Sequence, residues 1–391
     1  MANISDNTVV QLLGRRLRLA VIGGGPGSFI GPMHRQAARL DDRYTPVAAA
    51  MSSDPAKAQS AAAGLGLPPE RCYTSGSALL QAEAQRPDGA EVVAIMTPND
   101  SHFPLAMEAL GLGLHVICDK PMTNTLAQAQ ALCQRVEATG LVFCLTHNYT
   151  GYPLVRQARA MVEDGQLGRI QLVQVEYVQG GRAAPGPGRK AWKESPERGG
   201  PSLVLGDIGS HAHNLLCFMT GLRVAEVAAE VGSVYADRAT DDYAGALLRM
   251  DNGARGSFWV TQAAAGVENG LRIRISGTQG SLEWHQEHPQ VLHFKPLGQP
   301  AQVRTPNGPG SLPLAARAVR IVAGHPEGFP EAFANLYSDA ADTIAARLAG
   351  VPADPLSQYF PNAASGLDGL RFIDATVRSS QSNGIWTALP N

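Results

Sequence analysis

The segment Leu205-Gly-Asp-Ile-Gly-Ser-His-Ala-His-Asn214 contains the residues best suited to chemistry in this chain. It is predicted to open a helix that runs to about Met219, and Asp207 and His211, four residues apart, would then lie on one helix face within reach of a common ligand. A histidine whose pKa is near neutrality can accept a hydroxyl proton. The spacing therefore predicts a proton-transfer site with His211 as the acid/base.

Two other interpretations of this segment stay open. Asp207 can simply cap the helix, as aspartate often does. His211 and His213 form a His-x-His pair that can bind a metal, but no third ligand is apparent, and we predict no metal. Because residues two apart on a helix point in different directions, His213 is expected outside the site.

Lys120, in the segment Asp119-Lys120-Pro121, is the third candidate for chemistry. It follows the apolar run from His115 to Cys118, which is predicted to be a strand. A lysine ammonium beside the reacting group stabilises a developing alkoxide. We therefore predict Lys120, Asp207 and His211 as the catalytic residues.

The elements that must position these residues begin with a strand, a glycine turn and a helix. The apolar run from Arg18 to Ile22 meets Gly23-Gly-Gly-Pro-Gly27, and a helical pattern follows through Leu40. Such a turn lets backbone amides approach a pyrophosphate, whose charge is stabilised by the positive end of the helix. A tight turn without a ligand is the alternative, but the alternating strands and helices that follow favour dinucleotide binding.

That alternation predicts a Rossmann domain, an α/β fold with a doubly wound parallel sheet, over residues 1–147. Its further strands are Val47 to Met51, Val92 to Met96, His115 to Cys118 and Leu141 to Leu145. In such sheets ligands bind beyond the carboxyl ends of the strands. The residues predicted to contact the dinucleotide are Gly23, Gly25, Gly27, Ser28, Phe29, Ile30, Ser52, Ser53, Lys57, Thr97, Pro98, Asn99, His102, Asp119 and Lys120.

Residues 148–391 are predicted to form a second, α+β domain for substrate binding and oligomerisation. After a connecting helix from Val155 to Asp164, alternating patterns such as Ile170 to Val178 and Tyr243 to Met250 predict a large, open, mostly antiparallel sheet. Helices are predicted at about 330–348 and 363–382, and the last of them can pack back on the first domain.

Four segments together resemble one enzyme family. GGGPGSFIGPMH, TPNDSH, HVICDKP and GDIGSHAHN occur in the order found in the Gfo/Idh/MocA family, which includes glucose-fructose oxidoreductase and inositol dehydrogenase. The resemblance implies that the histidine is the acid/base, that the aspartate orients it or the substrate, and that the lysine polarises the reacting oxygen. It also implies that one face of the second sheet covers the active site while the other packs against another subunit in a homodimer or homotetramer.

The same resemblance extends to substrate contacts. Asn148, Tyr149 and Tyr152 match a family stretch near the substrate, and Asn214 replaces an aspartate that is common there. Packing between the domains is the alternative role for these residues. With Lys120, Asp207, His211 and Trp192 they complete the predicted substrate-binding set; Trp192 lies in a glycine- and proline-rich insertion, Gly180 to Pro201, that is long enough for a substrate lid or an oligomer arm.

The chain departs from the family pattern at two points. The glycine loop has about three extra residues before His34, so Gly27 can take the role of the usual third glycine. Asp119 stands where the family has glutamate, one methylene longer.

The choice between NAD and NADP depends on the end of the second strand. NAD enzymes usually place a carboxylate there, which repels a 2′-phosphate. Here Ser52 and Ser53 occupy the place, with Lys57 nearby, and this pattern favours NADP. Asp54 can also turn toward the ribose, and Lys57 can be an ordinary solvated lysine, so use of NAD or of both cofactors stays open.

Composition narrows the classes of protein further. With 32 Lys+Arg against 34 Asp+Glu the net charge is −2, and no charge run appears, so nucleic acid is not an expected partner. Five cysteines without a C-x-x-C pair and the absence of a long apolar run predict a cytoplasmic protein without a membrane segment.

The sequence thus predicts an NAD(P)-dependent oxidoreductase that transfers a hydride between nicotinamide and a secondary hydroxyl or ketone of a cyclic polyol or sugar. One alternative is a glycoside-oxidising enzyme with a tightly held, internally recycled cofactor. Another, of a different class, is a non-catalytic NAD(P)-sensing regulator, although such a sensor has no need of the complete Lys-Asp-His set.

Overall fold

A five-stranded parallel sheet forms the first half of the computed structural model, which describes residues 7–184, 199–236 and 238–390. The spatial strand order is second, first, third, fourth and fifth, and every neighbouring pair is parallel. The strands are β1 (Leu17–Gly23), β2 (Tyr44–Ala50), β3 (Val92–Met96), β4 (His115–Cys118) and β5 (Phe143–Leu145).

Helices cover both faces of this sheet. Strand β3 is buried at every position, as expected for an apolar strand with helices on either side. The helices are α1 (Thr8–Leu13), α2 (Ile30–Leu40), α3 (Pro55–Ala63), α4 (Gly76–Ala84), α5 (His102–Gly111) and α6 (Leu126–Thr139). The predicted Rossmann domain is thereby confirmed.

The second half contains a nine-stranded sheet. Its strands are β6 (Ile170–Val178), β7 (Val224–Gly232), β8 (Tyr243–Met250), β9 (Arg255–Thr261), β10 (Gly270–Gly277), β11 (Gly280–His285), β12 (Leu292–Pro296), β13 (Gln302–Arg304) and β14 (Thr387–Ala388). Their order is β13-β12-β11-β10-β6-β9-β8-β7-β14, and the β6–β9 pair is parallel while the other pairs are antiparallel. The large, mostly antiparallel sheet that the alternating patterns predicted is confirmed.

One face of this sheet is covered by helices, whereas no helix of the described residues lies on the other face. The covering helices are α7 (Pro153–Glu163), α8 (Ser210–Thr220) and a helix near the C-terminus, Ala363–Gln381, whose Phe372 and Ile373 belong to the core of this sheet. A single π-helical turn, Leu205–Gly209, leads into α8. Along β8, buried residues such as Ala246 and Leu248 alternate with Leu247, which is exposed. This period of two is what a sheet with one covered face requires.

Three helices lie near the C-terminus, α9 (Pro313–Ala316), α10 (Phe329–Leu348) and α11 (Ala363–Gln381). Phe333 and Tyr337 of α10 belong to the core around β1, and Leu370 of α11 belongs to the core around β4. The first sheet is therefore covered partly by residues far along the chain. Over the described ranges, no helix has the length and apolar character needed to span a membrane.

Candidate active site

A cleft of about 780 Å³ lies between the carboxyl ends of the parallel strands and helix α8. The strand order reverses between β1 and β3, the place where doubly wound sheets bind ligands. The cleft is lined by Gly23, Gly24, Ser28, Phe29, Ile30, Met51, Met96, Thr97, Pro98, Asn99, Asp119, Lys120, Pro121, Thr146, Asn148, Tyr149, Tyr177, Gln179, Gly199, Leu203, Asp207, Ile208, His211, Asn269, Phe329 and Phe333.

The glycine loop is packed so closely that most of its glycines have no room for a side chain, and the contacts are tightest at Gly31 and Gly25. A Cβ atom on Gly31 would lie 2.0 Å from the Gly24 carbonyl oxygen, and one on Gly25 would lie 2.1 Å from the Met51 carbonyl oxygen. The close helix-to-loop contact that the third glycine of such loops provides is thus made by Gly31 and not by Gly27, because Gly27 has open space around its Cβ position.

Helix α2 begins without a side-chain cap at Phe29, although the Ser28 hydroxyl accepts a hydrogen bond from the Gly31 N–H. The other N–H groups at the start of the helix are therefore available to an anion, and the positive end of the helix dipole favours one. This arrangement fits the pyrophosphate of a dinucleotide.

The segment Thr97-Pro98-Asn99, which follows β3, is held in place by His102 on the side away from the cleft. Thr97, Pro98 and Asn99 line the cleft, whereas His102 is buried with its ring nitrogens 2.8 Å from the Pro121 carbonyl oxygen and 2.9 Å from the Thr97 carbonyl oxygen. His102, which was predicted to contact the dinucleotide, does not belong to the cleft lining. Its imidazole instead connects the ends of β3 and β4.

Asp119 fixes the turn that carries Lys120. Its Oδ1 accepts hydrogen bonds from the Lys120 backbone N–H at 2.8 Å and from the Thr146 hydroxyl at 3.1 Å. Since the shorter carboxylate finds these partners, the replacement of glutamate by aspartate leaves the turn held in place.

Lys120 and Asp207 meet across the cleft. The lysine Nζ donates to Asp207 Oδ1 at 3.2 Å and also to the Asp207 carbonyl oxygen, while Gln262 Nε2 donates to Asp207 Oδ2 at 2.9 Å. The helix start at Leu205 has no side-chain cap. Asp207 therefore does not cap this helix.

His211 lies on the same cleft wall and is surrounded by the rings of neighbouring side chains. Tyr149 contacts it edge-on with ring centroids 4.9 Å apart, and the Nδ1 atom of His147 lies 3.4 Å from that of His211. Burial, together with the nearby Lys120, lowers the pKa of His211 well below its ordinary value. The imidazole is consequently neutral at neutral pH, the form that accepts a proton.

Phenol and amide groups form the wall contributed by the second sheet. The Tyr149 and Tyr177 hydroxyls lie 2.6 Å apart, Tyr177 donates to Asn269 Oδ1 at 2.8 Å, and Gln179 Nε2 donates to the same oxygen at 2.7 Å. Asn148 Nδ2 is buried and has no hydrogen-bond partner within the described part of the chain. It is a free donor in a residue that lines the cleft.

Several predicted contacts lie away from the cleft lining. Tyr152 is stacked behind Tyr149 with ring centroids 6.3 Å apart and packs on Trp284, so it does not line the cleft in this structure. Trp192 lies outside the described residues. The remaining predicted residues that do not line the cleft are Gly25, Gly27, Ser52, Ser53, Lys57 and Asn214.

Sequence reasoning missed the residues that the second sheet contributes. Tyr177 and Gln179 are two positions apart at the end of β6, so the period of two already put them on one face. Asn269 is adjacent only because β10 pairs with β6, and no local pattern reveals that pairing. His147 and Gln262 were also missed.

Comparison with known proteins agrees with this geometry. Residues 17–147 match the model of the GFO/IDH/MocA oxidoreductase family, NAD-binding Rossmann fold, and residues 155–283 match the GFO/IDH/MocA C-terminal domain. The uncharacterized oxidoreductase YfiI of Bacillus subtilis (strain 168) is 33% identical over 96% of this chain and 98% of its own length.

Two relatives have names that state a ligand or substrate. A crystal structure of an inositol dehydrogenase homolog from Azotobacter vinelandii, complexed with NADH and myo-inositol, is 36% identical with a TM-score of 0.88 and covers 96% of this chain and 98% of that one. Levoglucosan dehydrogenase of Pseudarthrobacter phenanthrenivorans (strain DSM 18606) is 28% identical over 71% of this chain and 76% of its own.

Proposed function

The chain belongs to the Gfo/Idh/MocA family of NAD-dependent oxidoreductases, and we propose that it oxidises a secondary hydroxyl of a neutral cyclic polyol or sugar. The observation that carries the proposal is the meeting of Lys120, Asp207 and His211 in one cleft with the glycine loop. The reverse reduction of a ketone uses the same groups.

Each residue has a distinct task in this reaction. The nicotinamide, when bound, supplies the hydride acceptor. The Lys120 ammonium stabilises negative charge on the substrate oxygen, and Asp207 holds that ammonium in place. Neutral His211 takes up the hydroxyl proton.

The charge of the cleft supports a neutral substrate. Among its described lining residues the charged side chains are Asp119, Lys120 and Asp207, and the one cation of this set is already paired with Asp207. A phosphate or carboxylate would therefore gain little attraction from this wall. The hydroxyl and amide groups of Tyr177, Gln179 and Asn269 match the alternating donors and acceptors of a polyol.

Our proposal for the cofactor includes both NAD and NADP. Ser52 lies two residues after β2, where a carboxylate is absent, and this favours NADP; its hydroxyl accepts a hydrogen bond from the Asp54 N–H at 3.1 Å. Asp54 in turn caps α3 through the Lys57 N–H at 3.0 Å, so its carboxylate is engaged there. Against this, the inositol dehydrogenase homolog from Azotobacter vinelandii was crystallised with NADH.

The exposed face of the second sheet supports a homo-oligomer. Leu172, Leu247 and Trp259 share this face and are 55%, 59% and 42% exposed. Large apolar side chains exposed on one sheet face are typical of an interaction site. We propose that it joins copies of the chain into a homodimer or homotetramer.

A panel of cyclic polyols and sugars, assayed by nicotinamide absorbance with NAD and NADP, tests the activity. Lys120→Met is expected to lower turnover by roughly two or more orders of magnitude while cofactor binding is retained, because transition-state charge stabilisation is lost. Lys295→Met, at an exposed lysine on β12, is the matched control.

Turnover near that of the unmodified enzyme in Lys120→Met would end this mechanism. Cofactor that stays bound through gel filtration, with turnover only when a second substrate reoxidises it, would instead support the internally recycled alternative.

A further inference from the structure

His147 is a buried histidine that the reaction described above does not use. It lies two residues after the end of β5 and is 3% exposed. Its carbonyl oxygen accepts hydrogen bonds from the Thr150 hydroxyl at 2.9 Å and the Thr150 N–H at 3.2 Å. The backbone of this turn is thereby fixed, and the imidazole is held against α8.

The ring of His147 meets the ring of His211 nearly at a right angle. The centroids are 5.1 Å apart at 84°, and the two Nδ1 atoms are 3.4 Å apart. This separation is long for a ground-state hydrogen bond, but such contacts at reaction centres often shorten in the reacting complex. Two Nδ1 atoms that face each other can share only one proton.

The charge states of the two rings are settled by their surroundings. Burial, and then the nearby Lys120, lowers the pKa of His147 to about 3, and burial lowers that of His211 well below its ordinary value. The groups that face His211 are Lys120, His147, Asp207 and the phenols of Tyr149 and Tyr177. Both imidazoles are thus neutral at neutral pH, and each has one N–H.

We propose that His147 is the positioning residue of the acid/base. If the Nε2 of His211 takes the substrate proton, this atom must be bare, so the proton of neutral His211 is on Nδ1. His147 Nδ1 accepts the hydrogen bond from that N–H, and its own proton is on Nε2. When His211 becomes an imidazolium, the same bond persists.

Many enzymes give this orienting role to a carboxylate. Here the carboxylate of Asp207 contacts Lys120 and Gln262 instead. A neutral acceptor fixes the tautomer without raising the basicity of His211 as an anion would. The catalytic role of His147 rests on the function proposed above, whereas the predicted tautomer of His211 does not.

Nitrogen-15 NMR of histidine-labelled protein, without substrate, tests the tautomer directly. The resonances of His211 are identified by their loss in His211→Gln. We expect His211 protonated on Nδ1 in the unmodified protein and in His147→Asn, whose Oδ1 can accept the same bond. In His147→Leu we expect the proton to move to Nε2.

Kinetics then give the consequence for the reaction. His147→Leu is expected to lower kcat by about tenfold or more with the KM of the cofactor unchanged, whereas His147→Asn stays within about threefold. Melting temperature and cofactor binding check that each variant is folded. If His147→Leu does not fold, the histidine spectra of the unmodified protein and of His147→Asn still test the predicted tautomer.

A bare Nδ1 on His211 in the unmodified protein would overturn the proposal, and so would full kcat with an unchanged tautomer in His147→Leu. Failure of the proposed function has a different signature, because no polyol would be turned over while the Nδ1–H tautomer of His211 is still observed.

Discussion

Individual side chains in the cleft divide the chemical work into two separate units. Asp207 and Lys120 form one unit, with Gln262 as a further partner of the carboxylate. His211 forms the other, with His147 and Tyr149 against its ring. In the proposed mechanism, charge stabilisation and proton transfer are thus assigned to different residues, although Lys120 also lowers the pKa of His211.

The low pKa of His211 predicts how oxidation depends on pH. A base acts only when it is unprotonated, so activity is lost as pH falls through its pKa. Because burial lowers this pKa well below 6.5, we expect the acidic limb of the kcat/KM profile to lie below pH 6.5. Steady-state rates over a pH series with the best substrate measure it. An acidic limb at or above pH 6.5 would contradict the assignment.

Ser52 offers a residue-level test of cofactor choice. A carboxylate at the end of β2 repels a 2′-phosphate and can bond the ribose hydroxyls. Ser52→Asp is therefore expected to weaken NADPH binding at least about tenfold while NADH binding is kept or improved. Fluorescence titration with both reduced cofactors measures this, and Ser60→Asp, at an exposed serine on α3, is the matched control. In the unmodified protein, NADH binding more than tenfold tighter than NADPH would reject the preference for NADP.

Among the elements, the glycine loop and helix α2 depend on contact between backbones. In Gly31→Ala the new Cβ would meet the Gly24 carbonyl oxygen at 2.0 Å, so the loop must shift, at a cost of about 1–3 kcal/mol. We expect cofactor binding to weaken at least about tenfold. Gly369→Ala is the control, since Gly369 is a helical glycine with open space at its Cβ position. Equal cofactor affinity in Gly31→Ala and Gly369→Ala would contradict the placement of the glycine loop in the cofactor-binding site.

The local sequence pattern was sufficient to predict some elements and site residues, and it was insufficient to predict others. The ranges Ile170 to Val178 and Tyr243 to Met250 were predicted to the residue, because alternation along one half-buried strand is a local property. Asp207 and His211 were placed in one cleft for the same reason, as their spacing is set within one helix start; their catalytic roles stay a prediction. His102 was misplaced because its role depends on Pro121, which reaches it only through the pairing of β3 with β4.

For the whole molecule, the uncovered face of the second sheet predicts association. Leu247→Arg places a charge in the middle of the proposed interface, and we expect it to shift the protein to a smaller species in size-exclusion chromatography with light scattering. Leu297→Arg is the control, because Leu297 is 76% exposed in the turn after β12. Identical masses for the unmodified protein and Leu247→Arg would place any subunit contact elsewhere.

The return of α10 and α11 to the first sheet has a consequence for synthesis. The core around β1 contains Phe333, Tyr337 and Ile344, so the nucleotide-binding half cannot complete its core when its own 147 residues have left the ribosome. At roughly 5–20 residues per second, α10 follows about 10–40 s later. During that interval apolar positions such as Val21 and Val92 lack part of their cover. We therefore expect the amino-terminal half of each new chain to expose apolar surface that chaperones can bind until α10 and α11 emerge.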